Sequence, residues 1–435
     1  MRHLVVLGAG TAGTMAVNKL RPRLHAAEWD ITIVDRSEEH HYQPGYLFVP
    51  FGTYRPEEIV KPRARLIGPG IRQVTADIDE VMPDENLVRL GDGSELRYDQ
   101  LIIATGTHPN PDETPGLGEP EARARGVHSF YTLEDAVALR DALERFDGGR
   151  LVVNLVDLPI KCPVAPLEFA FLAEAWLREH GLRDRTEVTY VTPLDGAFTK
   201  PLAARELGGM FDERGIALEA DFMLERVDLD ERLLVSYDER EVPFDLLVTV
   251  PLNMGAPFVA RSGLGDELNH VKVDKHTFLA AGRDDIFALG DAANLPTSKA
   301  GSVAHFAVDV FVDNFLRHVD GLEMHERFDG HANCFIESGD GKAMLLDFNY
   351  DTEPLLGEFP LPEIGPLKLL AESEANHWGK LAFRWIYWHV LLPGRPLPLS
   401  ASMSMLGKRR PAAAPGPTDG DGPSAAARDL QEVSL

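Results

Sequence analysis

Two cysteines are the residues most able to do covalent chemistry in this chain, Cys162 and Cys334, 172 positions apart. Either one, taken singly, reads as a small buried hydrophobe. Their settings suggest more. Cys162 follows Lys161 and precedes Pro163-Val164-Ala165-Pro166-Leu167-Glu168, a strand-to-helix turn where a helix dipole and a neighbouring ammonium are expected to lower the thiol pKa and give a thiolate at neutral pH. Cys334 lies in Gly330-His331-Ala332-Asn333-Cys334-Phe335-Ile336-Glu337. A pair of thiols that meet can store and release two electrons.

The elements that would position them begin at the N-terminus. Residues 4–7 read as a strand, Gly8-Ala9-Gly10-Thr11-Ala12-Gly13 as a turn, 14–24 as a helix, and 31–34 as a second strand ending in Asp35. This is a βαβ unit with G-x-G-x-x-G and an acid about 20 positions on, the pattern of a dinucleotide site. The glycines let backbone approach a pyrophosphate, the helix N-terminus supplies positive charge, and Asp35 is placed for ribose hydroxyls.

Two later segments favour FAD as that dinucleotide. The segment from Tyr98 to Thr107 is a strand running into the small-residue turn Ala104-Thr105-Gly106, and the strand of residues 286–289 ends in Gly290-Asp291. Both resemble signatures of flavoproteins with two dinucleotide domains, a likeness that implies an Asp291 side chain on the ribityl chain and a helix aimed at the isoalloxazine. In that plan a middle strand, here residues 150–156, carries a second glycine loop for a nicotinamide. Here the loop holds Pro159, Cys162, Pro163 and Pro166 instead. Proline has no amide hydrogen, so nicotinamide binding is not expected.

These features together are similar to the sulfide:quinone oxidoreductase family. The likeness spans about residues 1–395 and is carried by His41-Tyr42-Gln43-Pro44-Gly45, by the cysteine turn from Cys162 to Glu168, by Ser298-Lys299-Ala300-Gly301-Ser302-Val303-Ala304-His305, and by Cys334. The resemblance implies an α/β fold of two Rossmann-like domains, glutathione-reductase-like, with a C-terminal membrane-associating region. It implies FAD as cofactor and Cys162 with Cys334 as a redox pair on one face of the flavin. Glu168 becomes an acid near Cys162 and Lys299 a residue at the flavin's pyrimidine edge. The other readings are a first-turn acid complementing the helix dipole for Glu168, and a solvated surface lysine for Lys299. One departure is the absence of cysteine between Asn110 and Leu133, where many bacterial members have a third; this argues against a covalent flavin link and a long polysulfide chain.

The expected reaction follows from the pair. Hydrosulfide attacks the bridged cysteines, one becomes a persulfide and the other leaves as a thiolate, and two electrons pass through the flavin to quinone. Rival readings are a type-II NADH:quinone dehydrogenase, a flavin subunit passing electrons to cytochrome c, and a flavin-binding redox sensor without turnover.

Composition sets the remaining bounds. The 435 residues carry a formal charge of −26, which disfavours nucleic acid as a partner. Between residues 376 and 410 there is no Asp or Glu, while Lys380, Arg384, Arg395, Lys408, Arg409 and Arg410 are present with Trp378, Trp385 and Trp388. That stretch reads as an interfacial helix, too short to span; a core helix or a dimer contact is the alternative. Phe335, Tyr387 and Trp388 are candidates for a quinone pocket. No leader is expected, no histidine spacing suits a metal, and the expected partners are sulfide, membrane quinone, a small thiol or sulfur acceptor, a membrane surface on its cytoplasmic side, and a second copy of the chain. The expected divisions are 1–110 and 271–330 for the FAD domain, 111–270 for the second domain, 331–407 for the C-terminal region, and a disordered tail over 408–435.

Overall fold

In a computed structural model, the described residues are 1–325 and 327–410; most of the tail expected over 408–435 lies outside them. The N-terminal βαβ unit forms as expected at its strands, Arg2–Leu7 and Trp29–Asp35, which pair in parallel. They belong to a five-stranded sheet in the order 286–288, 100–103, 2–7, 29–35, 72–75. All four pairings are parallel, and Leu4, Val6, Leu7, Ile31, Ile102 and Ile286 are buried, as a sheet covered on both faces requires.

The first helix runs Thr11–Leu20 rather than over 14–24. Gly10 is its extended N-cap, and Thr14 N–H already closes the first turn on the Gly10 carbonyl at 3.0 Å. Its early start has a steric basis, because Gly13 lies against the first strand's turn: a Cβ there would sit 1.9 Å from the Gly8 oxygen.

The middle of the chain forms a second five-stranded parallel sheet, ordered 127–128, 246–250, 149–155, 186–191, 216–219. Two layers of the same α/β kind follow from the same alternation of apolar strands and amphipathic helices. The helix after its central strand Gly149–Leu155 covers Ala165–Glu179. Pro166 stands in its first turn, where a missing amide breaks no intrahelical bond.

A further, mostly antiparallel sheet begins with Ala332–Gly339 and Lys342–Phe348 and includes Gly357–Phe359, Leu367–Leu369 and Glu372–Ser373, with one parallel pairing between Lys342–Phe348 and Leu367–Leu369. The C-terminal helix, Glu374–Ile386, packs on it and continues through one wide turn, Tyr387–Leu391. Residues 408–410 correct the expected start of the tail. Lys408 pairs with Asp347, and both side chains are 1% exposed.

Burial also sets an acid limit on this fold. His40, His128 and His270 are buried, and desolvation pushes each down to about 4. Above pH 6.5 these rings are neutral in folded and unfolded chains alike, so they do not change stability. Between pH 6.5 and 4 the unfolded chain takes up protons that the folded chain refuses, and stability falls by up to about 1.4 kcal/mol per pH unit for each histidine. Urea midpoints are expected to drop across that window, and His270→Gln to flatten the slope.

Candidate active site

The glycine loop fits the phosphate bridge of a dinucleotide in a position-specific way. Gly8 has φ +97°, and a Cβ on it would lie 2.4 Å from the Ala104 oxygen. Gly8 and Gly13 are therefore demanded by protein packing. A Cβ on Gly10 would meet nothing within 4 Å, so its openness faces space that a ligand can occupy. The Asp35 carboxylate accepts from Ala9 N–H at 2.7 Å and Ser37 N–H at 2.9 Å, which fixes it at the strand end. Thr105 Oγ1, in the Ala104-Thr105-Gly106 turn, is buried with no partner. An orphaned buried hydroxyl costs about 1–3 kcal/mol unless a ligand satisfies it. The open space at Gly10 and the unpartnered Thr105 hydroxyl fit a bound flavin, which Gly8, Gly10, Thr11, Ala12, Gly13, Asp35, Ala104, Thr105, Gly106, Gly290 and Asp291 would hold.

At the second signature, Gly290 adopts φ +62° beside Ala12, which brings it to the N-terminus of the first helix. The helix expected directly after Gly290-Asp291 begins only at Gly301, after a short turn over Gly290–Ala292. Lys299 lies in the intervening segment and is 8% exposed, so it is not a solvated surface lysine. Its ammonium donates to the Asp291 carbonyl at 2.9 Å and the Ala293 carbonyl at 3.1 Å. Burial raises the Asp291 carboxyl, against the opposing charges of Lys299 and Lys161.

The same segment holds both cysteines. Cys162 N–H donates to the Lys299 carbonyl at 2.7 Å, Ser302 Oγ donates to the carbonyl of Asn333, the residue before Cys334, at 2.7 Å, and the Ser298 side chain favours ionisation of the Cys334 thiol against its burial. Both thiols are free. They are close enough that charge on Cys162 opposes ionisation of Cys334. Cys162 is held at φ +49°, a left-handed conformation costing about 1–2 kcal/mol for a residue with a Cβ. Its carbonyl accepts from Ala165 N–H at 2.8 Å, and Tyr131 Oη donates to the Lys161 carbonyl at 2.6 Å.

The thiol's acidity differs from expectation. Burial raises the Cys162 pKa and outweighs the neighbouring charge and amides that lower it. The helix N-terminus does act as foreseen, since the amides of Val164 and Ala165 lower it. Lys161 is not the helpful cation; its ammonium donates to Gln43 Oε1 at 3.1 Å and sits opposite Asp291. The charge that lowers Cys162 most comes from Lys380 on the C-terminal helix. Cys334 is buried outright, and its thiol is pushed far up.

Glu168 lies in the first turn of the cysteine helix, 1% exposed, with Oε1 accepting from Glu337 N–H at 2.8 Å and from Lys380 Nζ. It therefore ties this helix to the strand of Cys334, a bridge that neither of its sequence readings includes.

The C-terminal helix corrects the reading of its basic residues. Lys380 and Arg384 face inward, the first to Glu168 and the second toward Glu58 and the face of Tyr54. Lys408 is buried with Asp347. Tyr387 and Trp388 are buried as well. Tyr387 Oη stands 2.8 Å from Thr11 Oγ1 and 2.6 Å from His40 Nε2, which brings the C-terminal region onto the glycine loop. Trp388 Nε1 is buried without a partner. Phe335 packs at Gly379. Lys380 was read from sequence only as part of a basic flank and Ser298 only as part of a family segment; neither they nor His40 were assigned to the site. For Lys380 the available signal was its spacing from Arg384 and Tyr387, which puts all three on one helix face.

With this geometry, the class follows. Residues 2–309 match the model of the pyridine nucleotide-disulphide oxidoreductase family, and the chain belongs to that family. It is similar to the mitochondrial sulfide:quinone oxidoreductase of Dictyostelium discoideum, 28% identical over 90% of this chain and 86% of the relative. The mitochondrial sulfide:quinone oxidoreductase of Mus musculus is 26% identical over the same shares. Among solved structures, the sulfide:quinone oxidoreductase of Aquifex aeolicus matches with a TM-score of 0.76 at 20% identity, covering 91% of this chain and 92% of that one. The resemblance read from the cysteine turn is thereby borne out, as is the two-Rossmann α/β fold, and a flavin is the cofactor this kinship implies.

Proposed function

We propose that this protein is a two-cysteine, FAD-dependent sulfide:quinone oxidoreductase seated peripherally on the cytoplasmic face of a membrane. The observation that carries the reading is the segment of residues 299–302, which holds Cys162 through the Lys299 carbonyl and the strand of Cys334 through Ser302 on the Asn333 carbonyl. The names of the Dictyostelium and mouse relatives support the same substrates.

In the oxidised protein the two cysteines are bridged. Hydrosulfide breaks the bridge, and one cysteine takes the new S–S bond as a persulfide while the other leaves as a thiolate. The outer sulfur passes to a thiol or sulfur acceptor. Re-forming the bridge from two thiolates releases two electrons, and quinone gains them with two protons to give quinol. The flavin, when bound, supplies the two-electron relay between these half-reactions. Ser298 and the amides of Val164 and Ala165 orient and polarise the sulfurs.

An NADH dehydrogenase reading is weakened at the same turn, where Pro163 and Pro166 lack the amides that a pyrophosphate needs. Anaerobic titration of the yellow holoprotein with sulfide is the test. Bleaching of the flavin, with recovery on adding a short-chain quinone, is expected. Bleaching by NADH and not by sulfide would transfer the protein to the dehydrogenases.

Membrane seating draws on exposed apolar side chains. Trp378 and Trp385, 65% and 61% exposed, lie seven residues apart on one outer face of the C-terminal helix. Leu356, Leu361, Ile364, Met405 and Leu406 are also exposed. Among the described residues, no helix is long and apolar enough to cross a membrane. Replacing both tryptophans with alanine is expected to weaken sedimentation with lipid vesicles about tenfold or more, equivalent to about 1.4 kcal/mol, while leaving reduction of a soluble quinone intact.

A further inference from the structure

Lys380 occupies a position for which neither the family reading nor the motifs account. The helix that carries it turns two tryptophans outward, yet sends this ammonium inward until its side chain is 12% exposed. There Nζ donates to Glu168 Oε1 and to the Phe335 carbonyl, the latter at 3.0 Å, and lies 5.5 Å from the centre of the Phe48 ring. Glu168 belongs to the helix that Cys162 introduces, and Phe335 is the residue after Cys334. One cation therefore spans the two elements that must bring the sulfurs together.

Other charged or titratable groups act at Cys162 from each neighbouring element. Asp291 opposes its ionisation from the Gly-Asp turn. Cys334, Tyr42 and Tyr131 couple to it from the antiparallel sheet, the His41–Gln43 segment and the turn before the helix Leu133–Arg145. Lys161 is turned to Gln43, and Lys299 is held by two carbonyls. Among all of these, Lys380 is the strongest charge opposing the burial that raises the Cys162 thiol; burial in turn lowers the Lys380 ammonium to about 8, against the charge of Cys162, so it remains charged at neutral pH.

We propose that Lys380 is a positioning residue for the sulfur chemistry: its ammonium ties the Cys162 helix to the Cys334 strand and supplies positive charge that eases ionisation of the buried Cys162 thiol. This rests on the proposed role of Cys162 as the working thiol. Its reach is larger, because it makes the outward-facing helix an integral part of the cysteine site.

Two substitutions break the same ion pair with opposite electrostatic effects. Lys380→Met removes the cation and leaves burial of the thiol opposed only by the two amides. Glu168→Gln removes the carboxylate that neutralises the cation, so the field at Cys162 becomes more positive. A purely structural tie would move both variants in one direction. The measurement is the pH dependence of iodoacetamide alkylation of Cys162 in the reduced holoprotein, followed by peptide mass spectrometry. Lys380→Met is expected to raise the midpoint by about one pH unit, a tenfold lower rate at neutral pH. Glu168→Gln is expected to lower it, and Lys380→Arg to stay near the parent. Because Lys380→Met strands a buried carboxylate, the double variant Lys380→Met/Glu168→Gln keeps the comparison readable, with a midpoint above that of Glu168→Gln alone. Shifts of one sign in both single variants, or a double variant titrating like Glu168→Gln, would overturn the proposal. Neither sulfide nor quinone enters this assay, so its failure is separable from failure of the functional reading.

Discussion

Cys162→Ser and Cys334→Ser are each expected to slow sulfide-driven reduction of the flavin by about a thousandfold or more, with flavin content unchanged. A serine hydroxyl cannot form a persulfide or a bridge, and loss of a nucleophile that acts as one unit with its partner removes nearly the whole effect of the pair. The effects are therefore not additive, and the double variant should be no worse than either single one. Misfolding does not explain such a loss. The buried Cys334 is replaced by a side chain of nearly the same shape, so the stability cost should stay at about 1–3 kcal/mol. Stopped-flow absorbance for the reaction and thermal melts for the fold separate the two. Near-parental reduction rates in either variant would exclude the paired-thiol scheme.

The second large effect divides the glycines of the first loop by function. Gly10→Ala is expected to give a folded protein that has lost most of its flavin, about tenfold or more at equal protein concentration. Gly10 has φ −74°, open to any residue, and a Cβ there touches no protein atom. Only a ligand's close approach makes that methyl costly. Gly13→Ala should instead damage the fold itself, because its Cβ would lie 1.9 Å from the Gly8 oxygen and backbone must move. A loss of about 3 kcal/mol or more is expected. Flavin-to-protein absorbance and melting temperature, measured on both variants, give opposite orders. A Gly10→Ala protein that retains its full flavin would show that the loop's openness is not a ligand's imprint.

The parts legible in the sequence are those set by local rules. Gly8, Gly10 and Gly13 announce a strand-turn-helix at fixed spacing, and the observed strands agree to within two residues at either end. Prolines in place of glycines around Cys162 likewise mark a turn altered for another use. What escaped depends on which way a helix faces once it packs. Lys380, Arg384 and Lys408 look like a basic flank in sequence, because only the tertiary structure places Glu168, Glu58 and Asp347 opposite them. The Cys162 pKa escaped for the same reason. A dipole and a neighbouring lysine are visible in the sequence, whereas burial, which proves larger, is not. His40 and Thr11 could not be linked to Tyr387 from sequence, being 347 and 376 positions away.

Peptide mapping of the oxidised holoprotein under non-reducing conditions addresses the meeting of the two sulfurs without intermediaries. The protein is alkylated before digestion, and the peptides containing Cys162 and Cys334 are followed by mass. A single crosslinked species joining them, as a disulfide or with added sulfur, that separates on reduction is the expected result. Both cysteines recovered singly alkylated from oxidised, turnover-competent protein would contradict it.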